Sequence, residues 1–543
     1  MKGSANSFSG GEEKGSYYVS AGLNDQRGLI ENSRFKSGDF RVNLNHELSE
    51  NLDIDARFSA FFSESDFSEG GDLIGNYQSF VRNVLSFRPV YKVAYDDLTD
   101  PLVIYDQELT EGLDGPEDNQ ANPFSWVDDF HDESIENRFF ANLSLKYKLP
   151  IRGLNYELRI GGNKRDKERR RFYGPTTFQG KTNIGLLQIS TIDQLSYQIN
   201  NFIRYNRNFN NKHRVNATFG TTYDVRDVTN SIYSVSGFDS FDLTTQQPFL
   251  GQNILTPLAD IARDQKMFSL LGRVNYTLRN NYIFTASFRR DGVSKFKEEN
   301  RYGFFPSFAF AYRRDFGADS SFKIRTGWGQ IGNHGIGPYG TLSNYGSDPD
   351  SIYGSPGNGT TVPLILNNLA NPDLTWETTE QLNFGLDLDL FGGRVTSTID
   401  VYEKLTKDLL QNAPIPTSSG FSSILINRGE LENKGVEVGL DISLVESDDF
   451  SFSIGGNISH NKSKILNLGL PAGDIFNQIL HINSEYWEKP YYLGQQISRG
   501  NIFKHPANIF MEGQESALFY GWKTDGLVQP DDVADYPIDG AQA

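Results

Sequence analysis

The sequence predicts an all-β protein, a transmembrane antiparallel up-and-down β-barrel with long extracellular loops. Apolar and polar residues alternate with period two, in runs of about 8–12 residues, from one end of the chain to the other. The connections between these runs alternate between long and short, as the loops and turns of an outer-membrane barrel do. The apolar side of each run carries no charged residue. A surface without charged residues is expected where strands face lipid, because a charge costs about 2–4 kcal/mol at the bilayer midplane.

Composition excludes several other classes of protein. The 543 residues have a formal net charge of −18. Such an acidic chain is a poor partner for nucleic acid, whose phosphates are bound by clustered Lys and Arg residues. The absence of Cys excludes disulfide scaffolds and thiolate metal sites. No run of 18 apolar residues could form a transmembrane helix. Aromatic residues make up 13% of the chain, which favours β-structure over disorder.

The alternation predicts about sixteen strands. It is clearest in QLNFGLDLDL, where Leu382, Phe384 and Leu386 face one way and Asn383 and Asp387 face the other. The remaining runs lie near 17–23, 40–46, 52–62, 139–147, 154–162, 195–205, 213–225, 268–278, 282–288, 306–312, 322–330, 395–401, 435–444, 450–458 and 517–523. A soluble fold, either a β-sandwich or a set of lectin-like domains, also alternates. It is disfavoured by the uncharged apolar faces and by run lengths close to the 9–11 residues that cross a bilayer.

The opposite, polar faces of the strands carry the charges. We expect this side to line a wet lumen. Its charged residues are Arg41, Asp53, Arg57, Glu157, Arg159, Arg214, Arg273, Arg289, Arg325, Asp387 and Asp441.

Three of the long connections are predicted to be large extracellular loops. An acidic loop covers 63–138, a Gly- and Tyr-rich loop covers 331–380, and a third covers 459–516. The intervening connections, such as FGGR at 391–394, are short turns suited to the periplasmic side.

Several longer motifs resemble the barrel of SusC/RagA-type TonB-dependent outer-membrane transporters. The match is collinear and covers nearly the whole chain. Its motifs are SGGEEKGSYYVSAGLNDQRGLIENSRFKSGDFRVNLN (9–45), FRRDGVSKFKEENRYGFFPSFAFAYRRD (288–315), TGWGQIGNHGI (326–336), NPDLTWETTEQLNFGLDLDLFGGRVTSTIDVYEKLTKDLL (371–410), INRGELENKGVEV (426–438), NISHNKSKIL (457–466) and ALFYGWKTDGLVQPDD (517–532).

The resemblance implies a partial barrel over 1–543, with about sixteen of the 22 strands expected for that family and with no plug domain. We therefore expect the sequence to be part of a longer chain, because an open sheet leaves backbone groups unpaired in lipid. The implied function is import of oligosaccharides or peptides across the outer membrane of a Gram-negative cell. The implied partners are outer-membrane lipid, a SusD-like surface lipoprotein that closes the channel as a lid, and TonB, reached through a missing N-terminal region.

Two alternatives remain open beside the importer. One is a plugless surface adhesin or glycan-binding barrel. The other is a barrel enzyme such as an outer-membrane lipase, which is disfavoured because the sequence has no GxSxG elbow and no Cys nucleophile. We predict no catalytic residues and no enzymatic activity.

One acidic segment accounts for most of the net charge. From Val93 to Asn137 there are 14 acidic residues and no Lys or Arg. The segment is either a hydrated surface loop or a site for a hard cation such as Ca²⁺, which takes 6–8 oxygen ligands. The densest group, and the predicted Ca²⁺ ligands, are Asp128, Asp129, Asp132 and Glu133. No other cofactor is predicted. The basic run KRDKERRR at 164–171 is interpreted as a solvated strand end, with lipopolysaccharide phosphates as an alternative partner.

Aromatic residues in polar loops are the candidate ligand-binding residues. They lie among Asn, Gly and Ser, a mixture suited to stacking on sugar rings and to adaptable hydrogen bonding. Packing within the loops or in the membrane-interface girdle is the alternative role. The candidates are Phe124, Trp126, Tyr339, Tyr345 and Tyr353.

Overall fold

The structure is a computed structural model, and its described part is almost entirely β. The described residues are 2–66, 127, 129–174, 177, 180, 183–238, 247–317, 319–347, 364–415, 417–447, 449–469, 491–493, 496–499, 503–506, 508–516 and 518–519. No helix among them has the length and apolar character that a membrane span requires. They divide into two units, Met1–Lys462 and Ser463–Ala543.

The strands in the first two thirds of the chain are long. They are β1 (Lys2–Glu12), β2 (Gly15–Arg27), β3 (Arg34–Ser49), β4 (Leu52–Asp66), β5 (Phe130–Lys148), β6 (Leu154–Tyr173), β7 (Leu186–Phe209), β8 (His213–Phe238), β9 (Gly251–Ala262), β10 (Gln265–Leu278), β11 (Tyr282–Val293), β12 (Tyr302–Phe316) and β13 (Ser320–Asn333).

The rest of the chain mixes long strands with short hairpin strands. They are β14 (Tyr345–Ser347), β15 (Leu364–Leu366), β16 (Glu377–Leu390), β17 (Val395–Lys407), β18 (Leu410–Pro414), β19 (Ser423–Asn427), β20 (Glu430–Glu446), β21 (Ser451–Asn467), β22 (Tyr491–Leu493), β23 (Gln496–Arg499), β24 (Phe503–Pro506), β25 (Asn508–Met511) and β26 (Leu518–Phe519). Among the described residues, single 3₁₀ turns lie at Pro248–Leu250, Glu298–Asn300 and Thr417–Ser419.

One antiparallel sheet dominates the first unit. Strands β1 to β8 pair in chain order, and the series continues through β10, β11, β12, β13, β16, β17 and β20. Strand β21 belongs to the same sheet, and β9 pairs with the far end of β8. The meander of sixteen strands confirms the predicted all-β, up-and-down architecture.

Within the described residues, the short turns at 13–14, 50–51, 149–153, 210–212, 279–281 and 391–394 all lie at one end of this meander. The turn after β7 shows why the sequence makes a hairpin there. Asn210 and Asn211 both have positive φ (52° and 55°), which the favoured two-residue hairpin turns require and which Asn tolerates.

The cross-strand register gives the sheet two chemically different faces. Ile324, Leu386, Ile399 and Val438 lie in one row across β13, β16, β17 and β20, on the apolar face. The same registers, followed across every strand, place all eleven charged residues predicted to line a lumen on the opposite face. Since side chains alternate along a strand, one shared register is enough to keep the two surfaces separate.

Some sequence predictions of individual strands were wrong. Strand β1 was missed, because KGSANSFSGGE has no apolar alternation, yet its backbone pairs with β2 along its full length. Of the run predicted at 517–523, only residues 518–519 are described. Its described residues form only the two-residue β26, which pairs with β25 in a small sheet of the second unit.

The predicted loop boundaries were also too wide, because strands continue beyond the lengths that cross a bilayer. Strands β5 to β8 have 19, 20, 24 and 26 residues. Residues 63–66 and 130–138 of the predicted acidic loop are therefore strand, as are 331–333 of the second loop and 459–467 of the third. The extended ends are packed: Phe172, Leu187, Val235 and Phe238 form a buried cluster there.

We expect Phe384→Arg to lower the free energy of unfolding in lipid vesicles by about 2–4 kcal/mol, because it places a charge on the apolar face. Phe384 is 55% exposed in the isolated chain and pairs with Thr326 and Val401. The matched control is Asn383→Arg, which puts the same charge on the polar face one residue away. Urea titration should show the control close to wild type; equal losses for both variants would contradict the assignment of faces.

Candidate functional site

Charged side chains on the polar face are held by one another across strands. The Arg325 guanidinium donates to both carboxylate oxygens of Asp400, at 2.7 and 2.8 Å, and its Nε lies 3.0 Å from Asp387 Oδ1. Lys323 Nζ donates to the other Asp387 oxygen at 3.2 Å. These are charge-assisted contacts, which are stronger than neutral hydrogen bonds.

A glycine makes the Arg325 contact possible. Arg325 lies on β13 and Asp400 on β17, and Gly385 of β16 stands between them in the same row. A Cβ at Gly385 would lie 2.5 Å from Arg325 Cζ, so only a glycine lets the guanidinium cross β16 and reach the third strand.

A second charged group lies on β6 and β7. Glu157 is almost fully buried; its carboxylate accepts a hydrogen bond from Arg159 at 2.6 Å and forms an ion pair with Arg204, with 2.7 Å between Oε2 and Nη1. In the first group two cations meet two carboxylates, whereas in the second group Arg159 and Arg204 share the single carboxylate of Glu157. No group of three or more His, Asp or Glu residues that could hold a metal ion occurs within the described ranges.

The acidic segment and the basic run, which looked independent in sequence, meet on adjacent strands. Residues 130–138 of β5 pair with 165–173 of β6. Arg169 binds Asp132 through two hydrogen bonds, one of them 2.7 Å from Nε to Oδ1. Residues 164–171 therefore lie in a strand, as interpreted, but they are partly buried and ion-paired rather than solvated, and they neutralise part of the acidic segment.

The predicted Ca²⁺ ligands do not form a common cluster in the described residues. Asp128 lies outside those residues. Asp132 and Glu133 are neighbours in β5 and so point to opposite faces, and the Asp132 carboxylate is engaged by Arg169. Asp129 precedes the strand, and its carbonyl accepts from the Gly174 backbone at 2.8 Å. Ca²⁺ binding stays a prediction.

The predicted aromatic ligand residues are only partly visible. Phe124, Trp126 and Tyr353 lie outside the described residues. Tyr339 donates its hydroxyl to Asp264 Oδ2 at 3.1 Å, and Tyr345 is 66% exposed in the β14–β15 hairpin. Their roles in binding also stay predictions.

Sequence reasoning missed an apolar cluster around Trp376 at the long-loop end. It joins Val293, Phe296, Phe305, Ile336 and Leu374 to Trp376. The Trp376 indole donates to the Arg301 carbonyl at 3.1 Å. These residues lie in runs that break the two-residue alternation, which was a sign that they do not belong to the regular strands. No pattern in the sequence, however, showed that separate loops would pack together.

His334 lies at the edge of the Trp376 cluster, with Lys295 close by. Its ring packs edge-on against Trp376, with 5.3 Å between centroids, and Lys295 Nζ is 3.5 Å from His334 Nδ1. Burial, reinforced by the Lys295 ammonium, lowers the pKa of the His334 imidazole below its ordinary value of 6.5. Burial likewise lowers the pKa of Lys295.

With this geometry established, comparison with known proteins identifies the family. The family model described as "TonB dependent receptor-like, beta-barrel" matches residues 92–501. The chain belongs to this family. It is an outer-membrane β-barrel chain, and family members are transporters rather than enzymes.

Named relatives of this receptor barrel agree with that assignment. TonB-dependent receptor P3 of Formosa agariphila is 28% identical over 96% of the chain, and TonB-dependent receptor SusC of Bacteroides thetaiotaomicron is 28% identical over 92%. Each match covers 49% of the relative, so the chain spans about half the length of these curated relatives.

Solved structures show the same fold. The structure of the RagAB peptide transporter superposes with a TM-score of 0.72 at 21% identity, covering 95% of this chain and 54% of that one. A second RagAB structure, in a "closed-closed" state, gives the same TM-score with 53% of that chain covered. The resemblance to SusC/RagA-type barrels that the motifs indicated is confirmed.

Gly385→Ala should destabilise the receptor barrel by about 1–3 kcal/mol, because the new methyl group displaces Arg325 and weakens its contacts with Asp400. The matched control is Gly456→Ala on β21, where an added Cβ meets no atom within 4 Å. Denaturant unfolding in micelles would measure both variants. A loss at Gly456 as large as that at Gly385 would show that the effect is generic to strand glycines.

We expect His334 to titrate below pH 6.5. Because its folded-state pKa is depressed, its contribution to stability is present above about pH 6.5 and is lost as pH falls through the folded-state pKa. NMR titration of ring-labelled histidine, assigned by loss of one signal in His334→Gln, measures the midpoint. Lys295→Met should raise that midpoint, because it removes the positive charge that disfavours protonation of His334. An unshifted midpoint would rule out the Lys295 contribution.

Proposed function

We propose that this chain forms the transmembrane wall of an energised importer that carries oligosaccharides or peptides across the outer membrane. The observation that carries the proposal is the two-faced meander within a TonB-dependent receptor family: an apolar face for lipid and a polar face for solute. Similarity to SusC supports the importer class, and similarity of fold to the RagAB peptide transporter supports the same architecture.

The proposed partners follow from the same relatives. TonB supplies the energy, and a SusD-like lipoprotein closes the channel from outside as a lid. The barrel contributes hydrogen bonding and shape, and no covalent step is proposed. The aromatic residues of the long loops, Tyr345 among those described, would contact solute before it enters, and a Ca²⁺ ion held by the acidic segment would order the loop around it.

A plugless adhesin or glycan-binding barrel is the second candidate, and energy dependence separates the two. We expect whole cells with the full-length receptor to accumulate a fluorescent oligosaccharide or peptide ligand. A protonophore should abolish that accumulation and leave surface binding unchanged. Accumulation that survives the protonophore, or binding with no accumulation at all, would contradict the importer.

The same cells test the loop aromatics with a matched pair of variants. Tyr345→Ala should weaken ligand binding by about two- to tenfold, because a contact of one aromatic ring contributes about 0.5–1.5 kcal/mol. Phe391→Ala is the control: Phe391 is 68% exposed, as Tyr345 is 66% exposed, but it lies in a tight turn at the opposite end of the meander. Equal behaviour of the two variants would remove Tyr345 from the binding surface.

A further inference from the structure

We propose that the polar face of β5 and β6, near their long-loop ends, is an anion-binding site that selects solutes bearing carboxylate or sulfate groups. The proposal rests on the import function, since it assigns a solute class to the wall of the proposed channel. The site consists of Arg138, Arg165, Lys167 and Arg169 with the carboxylates Asp132 and Glu136, and we call it the basic wall.

The strand register brings these groups to one face. Arg165, Lys167 and Arg169 alternate along β6 on the side that also holds Glu157 and Arg159. On β5, Glu136 lies directly beside Lys167, and Arg138 lies beside Arg165. These cations thus lie on the polar face several residues further toward the long-loop end than Glu157 and the two arginines that contact it.

The charges within the basic wall do not balance. Arg169 is matched by Asp132. Glu136 serves three cations: it contacts Arg138, accepts from Arg165 at 2.8 Å, and lies 4.0 Å from Lys167. Four cations against two carboxylates leave an excess of two positive charges.

The flanking strands add no carboxylate at these positions. On β4, Ser63 and Phe61 lie beside Glu136 and Arg138. On β7, Gln194 and Ile192 lie beside Arg165 and Lys167. Within the described strands, the excess charge is therefore left for a group from outside the sheet.

The opposite face of the same strand is different. There Lys164 is 3.0 Å from Asp166 and also bonds Asp193, and Arg170 bonds Glu168 at 2.6 Å. Two cations meet three carboxylates, so the positive excess belongs to the solute side. This one-sidedness argues against lipid phosphate as the ligand, because lipid adjoins the other face.

The basic wall is accessible yet partly shielded from water. The side chains of Arg165 and Lys167 are each 26% exposed, and that of Arg138 is 50% exposed. Partial burial strengthens each charge interaction relative to bulk water, and guanidinium groups bind planar carboxylate and tetrahedral sulfate through two hydrogen bonds. A neutral solute would form no such charge-assisted hydrogen bonds.

Equilibrium binding to the purified full-length receptor, measured by calorimetry in micelles, tests the proposal without TonB. Three pairs of probes separate charge from backbone chemistry: tetragalacturonate and its methyl ester, tetraglutamate and tetraglutamine, and dextran sulfate and dextran. We expect at least one anionic probe to bind about tenfold more tightly than its neutral partner, as charge-assisted hydrogen bonds allow. Failure of all three anionic probes to do so would overturn the proposal.

Lys167→Gln should remove most of that preference, about five- to tenfold. It is a mild change to the fold, since Glu136 keeps its contacts with Arg138 and Arg165. Lys164→Gln is the matched control, with the same charge change on the opposite face three residues away, and should leave the preference intact. Lys167→Arg should restore it.

Equal effects of Lys164→Gln and Lys167→Gln would show a general effect of charge and would contradict an anion-binding site at the basic wall. The outcome is independent of the import proposal. Loss of energised uptake with a Lys167-dependent anion preference intact would contradict import alone, whereas protonophore-sensitive uptake without any charge preference would contradict the basic wall alone.

Discussion

Backbone hydrogen bonding between neighbouring antiparallel strands is the constraint on which the rest of this structure depends. In lipid every backbone N–H and C=O must find a partner within the protein, and a continuous meander provides one on both sides of each interior strand. Once strands are fixed in register, side chains alternate between two faces, so the same sixteen strands can present an apolar face and a polar face. Surface chemistry is then decided by the position of each residue along its strand.

The polar face uses this alternation in two ways. Around Arg325 two cations meet the carboxylates of Asp387 and Asp400 on neighbouring strands, and Glu157 is shared by Arg159 and Arg204. Toward the long-loop end, Glu136 is shared by three cations, and the face becomes basic. The outer part of the polar face thus carries more uncompensated positive charge than the part around Arg325.

Much of the fold could be predicted because the signal is local. Period-two alternation in stretches such as 381–390 shows both the strand and its lipid-facing side, and Asn or Gly in a short connection shows the turn. Strand β1 escaped prediction because its small polar residues carry no such signal; its place is fixed by pairing with β2. The lengths of β5 to β8 were underestimated because apolar and polar residues do not alternate regularly at their outer ends.

The sequence by itself determined the fold class, the two faces and the end at which the long loops lie, since each follows from residues within one strand or one turn. Only the tertiary structure decided which charges meet. Asp132 and Arg169 are 37 residues apart, and Arg325 reaches Asp400 only across Gly385. Such contacts depend on register between strands, which composition cannot supply. The acidic segment that dominated the charge of the sequence thus became, in part, the counterion of a basic wall.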